Sequence, residues 1–343
     1  MMIRAAIIGL GRWGRALVTA VQGKSDDIRF VAAHTRTRAG AEDFCRDKGV
    51  PLADSYEQIL ADRNVDAVVL ATPHSQHERQ MLQAAAAGKH IHVEKPITLE
   101  RPSADAAVAA ARKAGVTLAV GYCRRFHPSV VDMRNRLKDG RLGHVISMVA
   151  QHTTSTAQFI PPDNWRAAPE EAPGGAFTAT GVHSVDHMIE FAGRVRDVRC
   201  VTARHVPGHS DDTTTVMLHF ENGATGLLFC SVATATNFCF TLYGSKGLAE
   251  ISRPNLQAFR FVPTSAHAPT GPVTAPPDEM SEHKGFDMLN AELTAFARSI
   301  RDRTPYPVPI EDVLHGMSVF DAIVRAAKSG QIEAVTDAKA QAR

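Results

Sequence analysis

The stretch "IRAAIIGLGRWGRALVTAVQG", Ile3 to Gly23, sets an apolar run before Gly9-Leu10-Gly11-Arg12-Trp13-Gly14 and a helical pattern after it. A G-x-G-x-x-G alone is a weak signal. Between a predicted strand and a predicted helix it marks a dinucleotide-binding turn. Bare glycines let the backbone approach a pyrophosphate, which then rests on free N–H groups at the helix N-terminus. Gly9, Gly11, Gly14, Arg12 and Trp13 are therefore candidate cofactor contacts. The bland alternative is a tight turn with close helix packing.

Outward from this turn the chain alternates strand-like and helical runs. "IRFVAAHT", "DAVVLATP", "KHIHVEKP" and "VTLAVGY" read as strands; "RAGAEDFCRDKG", "HERQMLQAAAAG" and "SADAAVAAARKAG" read as helices. Repeated strand–helix–strand units predict a parallel, doubly wound sheet, and the continuous apolar strands agree, since both faces of such a sheet are covered. An NAD-binding unit usually ends its second strand in Asp or Glu, which holds the ribose 2′-hydroxyl. Here that strand runs into Thr35-Arg36-Thr37-Arg38. A carboxylate would repel a 2′-phosphate, whereas Thr35 with Arg36 and Arg38 would bind it through charge-assisted hydrogen bonds. NADP is the expected cofactor, with NAD as the alternative. The arginines read otherwise as a solvated helix start.

After about Tyr122 the pattern changes. A helical segment, "HPSVVDMRNRLKDG", and a Pro-rich loop lead to strand-like runs with hairpin punctuation. Asn222-Gly223 predicts a hairpin with a type I′ turn. Pro263 to Pro277 reads as a mobile loop, and two helices, "GFDMLNAELTAFARSIRDR" and "IEDVLHGMSVFDAIVRAAKSG", close the chain. The expected fold is α/β: an N-terminal Rossmann domain over 1–123, then an α+β domain over 124–343 with an open, mostly antiparallel sheet. The last helices are candidates for packing back on the first domain.

Composition bounds the partners. Lys plus Arg number 38 against 36 Asp plus Glu, which gives no electrostatic reason to expect nucleic acid or an anionic membrane. Five scattered cysteines without a C-x-x-C pair fit a reducing compartment. The N-terminal apolar run is broken by Arg12 and Arg15, so neither a signal peptide nor a spanning helix is expected. A cytoplasmic location follows as the expectation.

Two more strings stand at strand ends: "ATPHSQH", Ala71 to His77, and "HIHVEKP", His90 to Pro96. Ligands of a parallel sheet bind at the C-terminal edge of its strands, which places Lys95 where an ammonium can stabilise a developing alkoxide or polarise a carbonyl. His90, His92 and Glu94 alternate on one strand face, but no further thiolate or carboxylate ligand is evident and no metal is expected. In order along the chain, the G-x-G-x-x-G, "ATPHSQH", "AGKHIHVEKP", "GYCRRFHP", "WR", "GGAFTATGVHSVD" and "YGSKG" resemble the glucose–fructose oxidoreductase/inositol dehydrogenase (Gfo/Idh/MocA) family. The resemblance covers nearly the whole chain, and the E-K-P is its most specific element.

That resemblance implies a Rossmann domain and a second domain whose sheet carries the substrate pocket and often the oligomer interface. It assigns Lys95 to the reaction centre, with Glu94 orienting it and Pro96 fixing the turn. It adds Ala71, Thr72, Pro73, His74, His77, Glu94, Lys95, Arg124, Trp165 and Arg166 as candidate cofactor contacts, and Lys95, Tyr122 and His183 as candidate substrate contacts. In the family pattern a glycine pair precedes a helix bearing an Asp and, four residues later, a His that acts as general acid/base. His183 matches that histidine, while the Asp position falls on Ala179. Asp186, Thr178 or Thr180 are candidates to stand in for the lost carboxylate. Ser184 stands where a zinc-protease H-E-x-x-H needs Glu, so the site is expected to be acid–base. Thr180 and His187 complete the candidate substrate contacts.

The implied activity is an NADP-preferring dehydrogenase or reductase interconverting a secondary alcohol and a ketone on a polyhydroxylated small molecule: a sugar, a cyclitol or a cyclic dihydrodiol. His183 would take the hydroxyl proton, with Lys95 as a candidate relay, and Lys95 would hold the nascent oxyanion. A non-catalytic sugar or dinucleotide reader on the same fold, and an enzyme with permanently bound NADP, are the rival readings. A homodimer or homotetramer through the second sheet is expected, because an open sheet face with apolar and Thr residues from "TTTVMLHF" and "TGLLFCSV" needs covering.

Overall fold

The structure is a computed structural model that describes residues 2–265 and 276–337. Most of the predicted Pro263–Pro277 loop lies outside the described residues. The chain divides into two compact units, one formed by the residues up to Cys123 together with Asp287–Met317, the other by Arg124–Phe286 together with the chain from Ser318.

The first unit holds β1 (Ile3–Ile8), α1 (Arg12–Val21), β2 (Ile28–His34), α2 (Glu42–Lys48), α3 (Tyr56–Ala61), β3 (Ala67–Leu70), α4 (His77–Ala86), β4 (His90–Val93), α5 (Arg101–Ala114) and β5 (Leu118–Val120). The strands pair in parallel in the order β2-β1-β3-β4-β5. β3 is buried along its whole length and β4 nearly so, as strands covered on both faces must be. α3, a short helix missing from the sequence reading, is capped by Ser55, whose side chain accepts the Gln58 N–H.

The second unit holds α6 (Pro128–Lys138), β6 (Val145–Thr153), α7 (Val182–Ala192), β7 (Val195–Ala203), β8 (Thr213–Phe220), β9 (Thr225–Ser231), β10 (Asn237–Gly244), β11 (Gly247–Ser252), β12 (Ala258–Pro263) and β13 (Glu279–Glu282). The chain then forms α8 (Met288–Asp302), α9 (Ile310–Ser329) and β14 (Glu333–Ala334). The second sheet runs β13-β12-β11-β10-β6-β9-β8-β7-β14, antiparallel except where β6 meets β9. Alternate residues of its strands are buried, such as Val216, Leu218, Leu228, Phe238 and Phe240. The opposite face is open, and across β7, β8 and β9 on it Val201, Met217, Leu227 and Phe229 are 63%, 43%, 42% and 40% exposed.

The expected type I′ turn at Asn222-Gly223 is corrected. A type I′ turn needs positive φ at both central residues, and among the described residues only Gly223 has it there, at 89°. Phe220 pairs with Ala224 across a three-residue loop, and the Asn222 side chain accepts the Ala224 N–H. The hairpin stands, but Asn222 holds it with its amide oxygen rather than its backbone.

Candidate active site

The parallel ladder continues one step beyond its strands. Gly9 N–H donates to His34 O, Ala71 to Ile8, Glu94 to Leu70 and Gly121 to Val93, at 2.8 to 3.0 Å. The predicted strings therefore emerge side by side at the C-terminal edge of the sheet, the place where such sheets receive ligands.

The Gly9–Gly14 turn fits a dinucleotide. Gly9 has φ +97°, and a Cβ there would stand 2.6 Å from Ala71 O. A Cβ on Gly14 would stand 1.9 Å from Gly9 O, so α1 can pack on the turn only through bare glycine. Gly11 faces open space. It caps α1 without a side-chain bond, and no acidic residue lies in the first turn. The first N–H groups of α1 thus point outward with no carboxylate to compete for them, which suits an anion.

At the end of β2, Thr35 is half-buried while Arg36 and Arg38 are exposed. Arg38 donates to Ala53 O at 3.0 Å and to Asp54 at 3.1 Å. Ala71, Thr72, Pro73 and His74 line the same edge half-buried, whereas His77 is fully buried. The His77 ring bridges Pro96 O at 3.0 Å and Thr72 O at 3.1 Å, so it ties the two edge loops together from below. Lys95 is half-buried, Tyr122 is buried, and the Lys95–Pro96 peptide is cis. His90 and His92 do not converge: His90 Nδ1 accepts the Thr117 N–H at 2.9 Å, while His92 faces Glu292 of α8. Among the described residues no group of three or more metal-ligating side chains is arranged to hold an ion.

In the second unit, Phe177–Gly181 forms a single π-helical turn that leads into α7. Such turns are rare and recur at functional sites. His183, Asp186 and His187 are all buried. Asp186 is held by Arg125 through two short bonds, 2.7 and 2.9 Å, both residues being buried. Glu190 meets Arg134 at 2.5 Å and Arg125 at 3.7 Å. Burial works against Glu190's charge, yet His187 and the two arginines hold its carboxyl down at about 2. Asp186 is therefore committed to Arg125 and does not stand in for the carboxylate missing at Ala179. The Thr178 hydroxyl accepts the Gly174 N–H and the Thr180 hydroxyl donates to Ala176 O, so both serve the π turn.

Sequence reading missed His152 on β6. Its Nδ1 stands 3.0 Å from Thr180 O and its Nε2 2.9 Å from Arg124 Nη2. Since a carbonyl only accepts and a guanidinium only donates, the ring is fixed as the neutral Nδ1–H tautomer. Its centroid lies 6.4 Å from that of His183, and Arg124 rests on Phe238 at 4.5 Å. His187 packs against Phe191 and Phe240. Trp165 and Arg166 form their own pair, guanidinium over ring at 4.1 Å.

The comparisons with known proteins agree with this fold. Residues 3–122 match the model of the GFO/IDH/MocA oxidoreductase family with an NAD-binding Rossmann fold, and residues 130–250 match the GFO/IDH/MocA C-terminal domain. The chain is 28% identical over 291 residues to trans-1,2-dihydrobenzene-1,2-diol dehydrogenase of Sus scrofa, covering 84% of this chain and 85% of that protein. It is 28% identical over 323 residues to D-xylose 1-dehydrogenase (NADP(+)) 2 of Haloferax volcanii, covering 92% and 94%. Among solved structures it superposes on aldose–aldose oxidoreductase from Caulobacter crescentus, complexed with glycerol, with a TM-score of 0.83 at 25% identity, covering 97% and 100%. No helix among the described residues is long and apolar enough to cross a membrane.

Proposed function

The chain belongs to the GFO/IDH/MocA oxidoreductase family, and from that premise we propose that it is an NADP-preferring dehydrogenase of polyhydroxylated substrates: sugars, cyclitols or cyclic dihydrodiols. The observation that carries the cofactor preference is the end of β2, where Thr35, Arg36 and Arg38 stand in place of a carboxylate. The chemistry the dinucleotide supplies when bound is hydride exchange at its nicotinamide. The rest falls to side chains of this chain.

The Lys95 ammonium stabilises negative charge on the substrate oxygen. His183 takes the hydroxyl proton in oxidation and returns it in reduction. In this reading the cofactor contacts are Gly9, Gly11, Gly14, Arg12, Trp13, Thr35, Arg36, Arg38, the Ala71–His74 segment, Glu94, Arg124, Trp165 and Arg166, with His77 acting from below. Tyr122, Thr180 and His187 belong to the substrate side. With Ala179 in place of a carboxylate, the pair formed by His152 and Arg124 stands as polar support on the His183 side.

The testing experiment follows nicotinamide absorbance with NADP and NAD in parallel over sugars, cyclitols and dihydrodiols. Turnover favouring NADP supports the reading; equal or better use of NAD overturns the cofactor preference. Arg36→Ala is expected to raise KM for NADP by roughly 10- to 100-fold, the weight of one or two charged hydrogen bonds, and to leave NAD nearly unaffected. Equal losses with both cofactors would remove Arg36 from the 2′-phosphate.

The open sheet face is proposed to seat a second copy of the chain. Phe229→Glu is expected to convert a dimer or tetramer to monomer in light scattering, since a carboxylate cannot be buried unpaired in that patch. A wild-type chain already monomeric at micromolar concentration would sink this part.

A further inference from the structure

Glu292, His92 and Glu94 gather in the first unit, and the proposed reaction uses neither Glu292 nor His92. Both are fully buried, with His92 Nε2 and a Glu292 carboxylate oxygen 3.5 Å apart, too far for a good hydrogen bond. Both Glu292 oxygens, both His92 nitrogens and Glu94 Oε1 are buried and make no well-formed hydrogen bond, and the buried Trp13 indole N–H faces Glu94 without closing one of good geometry. The Phe296 ring closes one side, 5.6 Å from the imidazole. The Gly121 backbone closes another, where a Cβ would stand 3.0 Å from Glu94 Oε1. The second Glu94 oxygen accepts the Lys95 N–H at 3.3 Å. The groups facing Glu94 are thus His92 and Lys95 from β4 and its turn, Glu292 from α8, and the Trp13 indole N–H from α1. A buried pocket with two carboxyls and one imidazole cannot hold all three charged; its carboxyls lose their protons as one coupled system.

We infer that this cluster stores one exchangeable proton behind the Gly9–Gly14 turn, that His92 and Glu292 are the positioning residues that set its affinity, and that dinucleotide binding is coupled to its uptake. Burial keeps His92 neutral, down at about 4, and holds Glu292 well above the usual carboxylate range. Glu94 is left as the group that titrates near neutrality: burial and then Glu292 push it up to about 7, against the pull of His92, Lys95 and Trp13. A pyrophosphate at the first turn of α1 brings negative charge towards Trp13 and Glu94. The protonated cluster then binds it better, and affinity falls as pH rises through the Glu94 value, by up to about tenfold per pH unit for one coupled proton. The coupling rests on the reading that the Gly9–Gly14 turn receives the dinucleotide.

Two readouts on the full chain test it. In a Trp165→Phe background Trp13 is the sole tryptophan, and its emission reports the cluster without any ligand. It is expected to titrate with a midpoint near neutrality, within a scan from about pH 5 to about pH 9. Glu292→Gln should move that midpoint down, because the carboxyl that holds its proton to the higher pH is gone from the coupled pair. His92→Leu should move it up, because even the neutral imidazole presents an N–H dipole that favours ionised Glu94, and leucine presents none. Opposite shifts are not what a packing defect produces, and either variant serves if the other fails to fold. The Kd of NADPH, measured across the same range by fluorescence, should then weaken above each protein's own midpoint. The titration of the 2′-phosphate is common to all three proteins and cancels in the comparison. Flat Trp13 emission, or one midpoint shared by all three proteins, overturns the proton store. Shifted Trp13 midpoints with identical pH dependence of Kd overturn the coupling. If NADPH does not bind at all, the cofactor reading fails and the coupling with it, while the Trp13 titration still decides whether the store exists.

Discussion

Lys95→Met is expected to lower kcat by roughly 10³-fold or more while leaving the Kd of NADPH within a few-fold of wild type. An ammonium beside a developing oxyanion contributes about 10²- to 10³-fold, and a proton-transfer role adds to it. Methionine keeps the length and apolar stem of the lysine, so the half-buried segment after β4 can pack as before. The ladder that sets this segment, Glu94 N–H to Leu70 O at 3.0 Å, involves no Lys95 side-chain atom. Turnover and cofactor affinity should therefore separate. The measurement is single-turnover absorbance alongside NADPH fluorescence titration. A variant that turns over within tenfold of wild type would remove Lys95 from the reaction; one that loses NADPH as well would make it a binding residue.

Arg125→Met is expected to cost about 3–5 kcal/mol of folding stability, read as a fall in urea midpoint, because it strands the buried carboxylate of Asp186 and leaves Glu190 with Arg134 alone of its two arginines. Asp186 loses both of its short bonds, and burial already pushes its carboxyl up against the pull of Arg125. The variant should therefore recover part of the loss in acid, where Asp186 takes a proton. In the wild type the sign is opposite for Glu190. Its folded value of about 2 lies below the ordinary 4.5, so its contribution is complete above 4.5 and is lost as pH falls from there towards 2. Converging stability curves for the two proteins in mild acid would carry the assignment. Parallel curves would show that Arg125 acts by packing alone.

Legibility in the sequence followed how local each feature is. The Gly9–Gly14 turn, the Ala71–His77 and His90–Pro96 strings and the hairpin at Asn222 declare themselves within a few residues, because the backbone geometry each needs admits few side chains. The parallel sheet follows from repetition of such units. The partners of Asp186 could not be read from α7: a carboxylate three residues after His183 invites a catalytic reading, and only tertiary packing brings Arg125 to it from 61 residues earlier. His152 and Glu292 were invisible for the same reason, each a polar residue in an otherwise ordinary strand or helix. The π turn at Phe177–Gly181 carries no composition signal, since it differs from an α turn by one residue of hydrogen-bond register.

The first unit is not one stretch of chain. Its N-terminal strands and helices are completed by α8, whose Asn290 side chain donates to Ala20 O at 2.8 Å and whose Arg298 and Arg301 both reach Asp27. On the ribosome, everything from Arg124 to Phe286 must be made before α8 exists, an interval of roughly 10–30 s at common elongation rates. During that wait the core positions that receive Leu293 and Phe296 face water. Order of synthesis and order of completion are therefore inverted: the half that begins first is sealed after most of the other has emerged, and a nascent chain stalled anywhere between them exposes a vacant helix seat to chaperones.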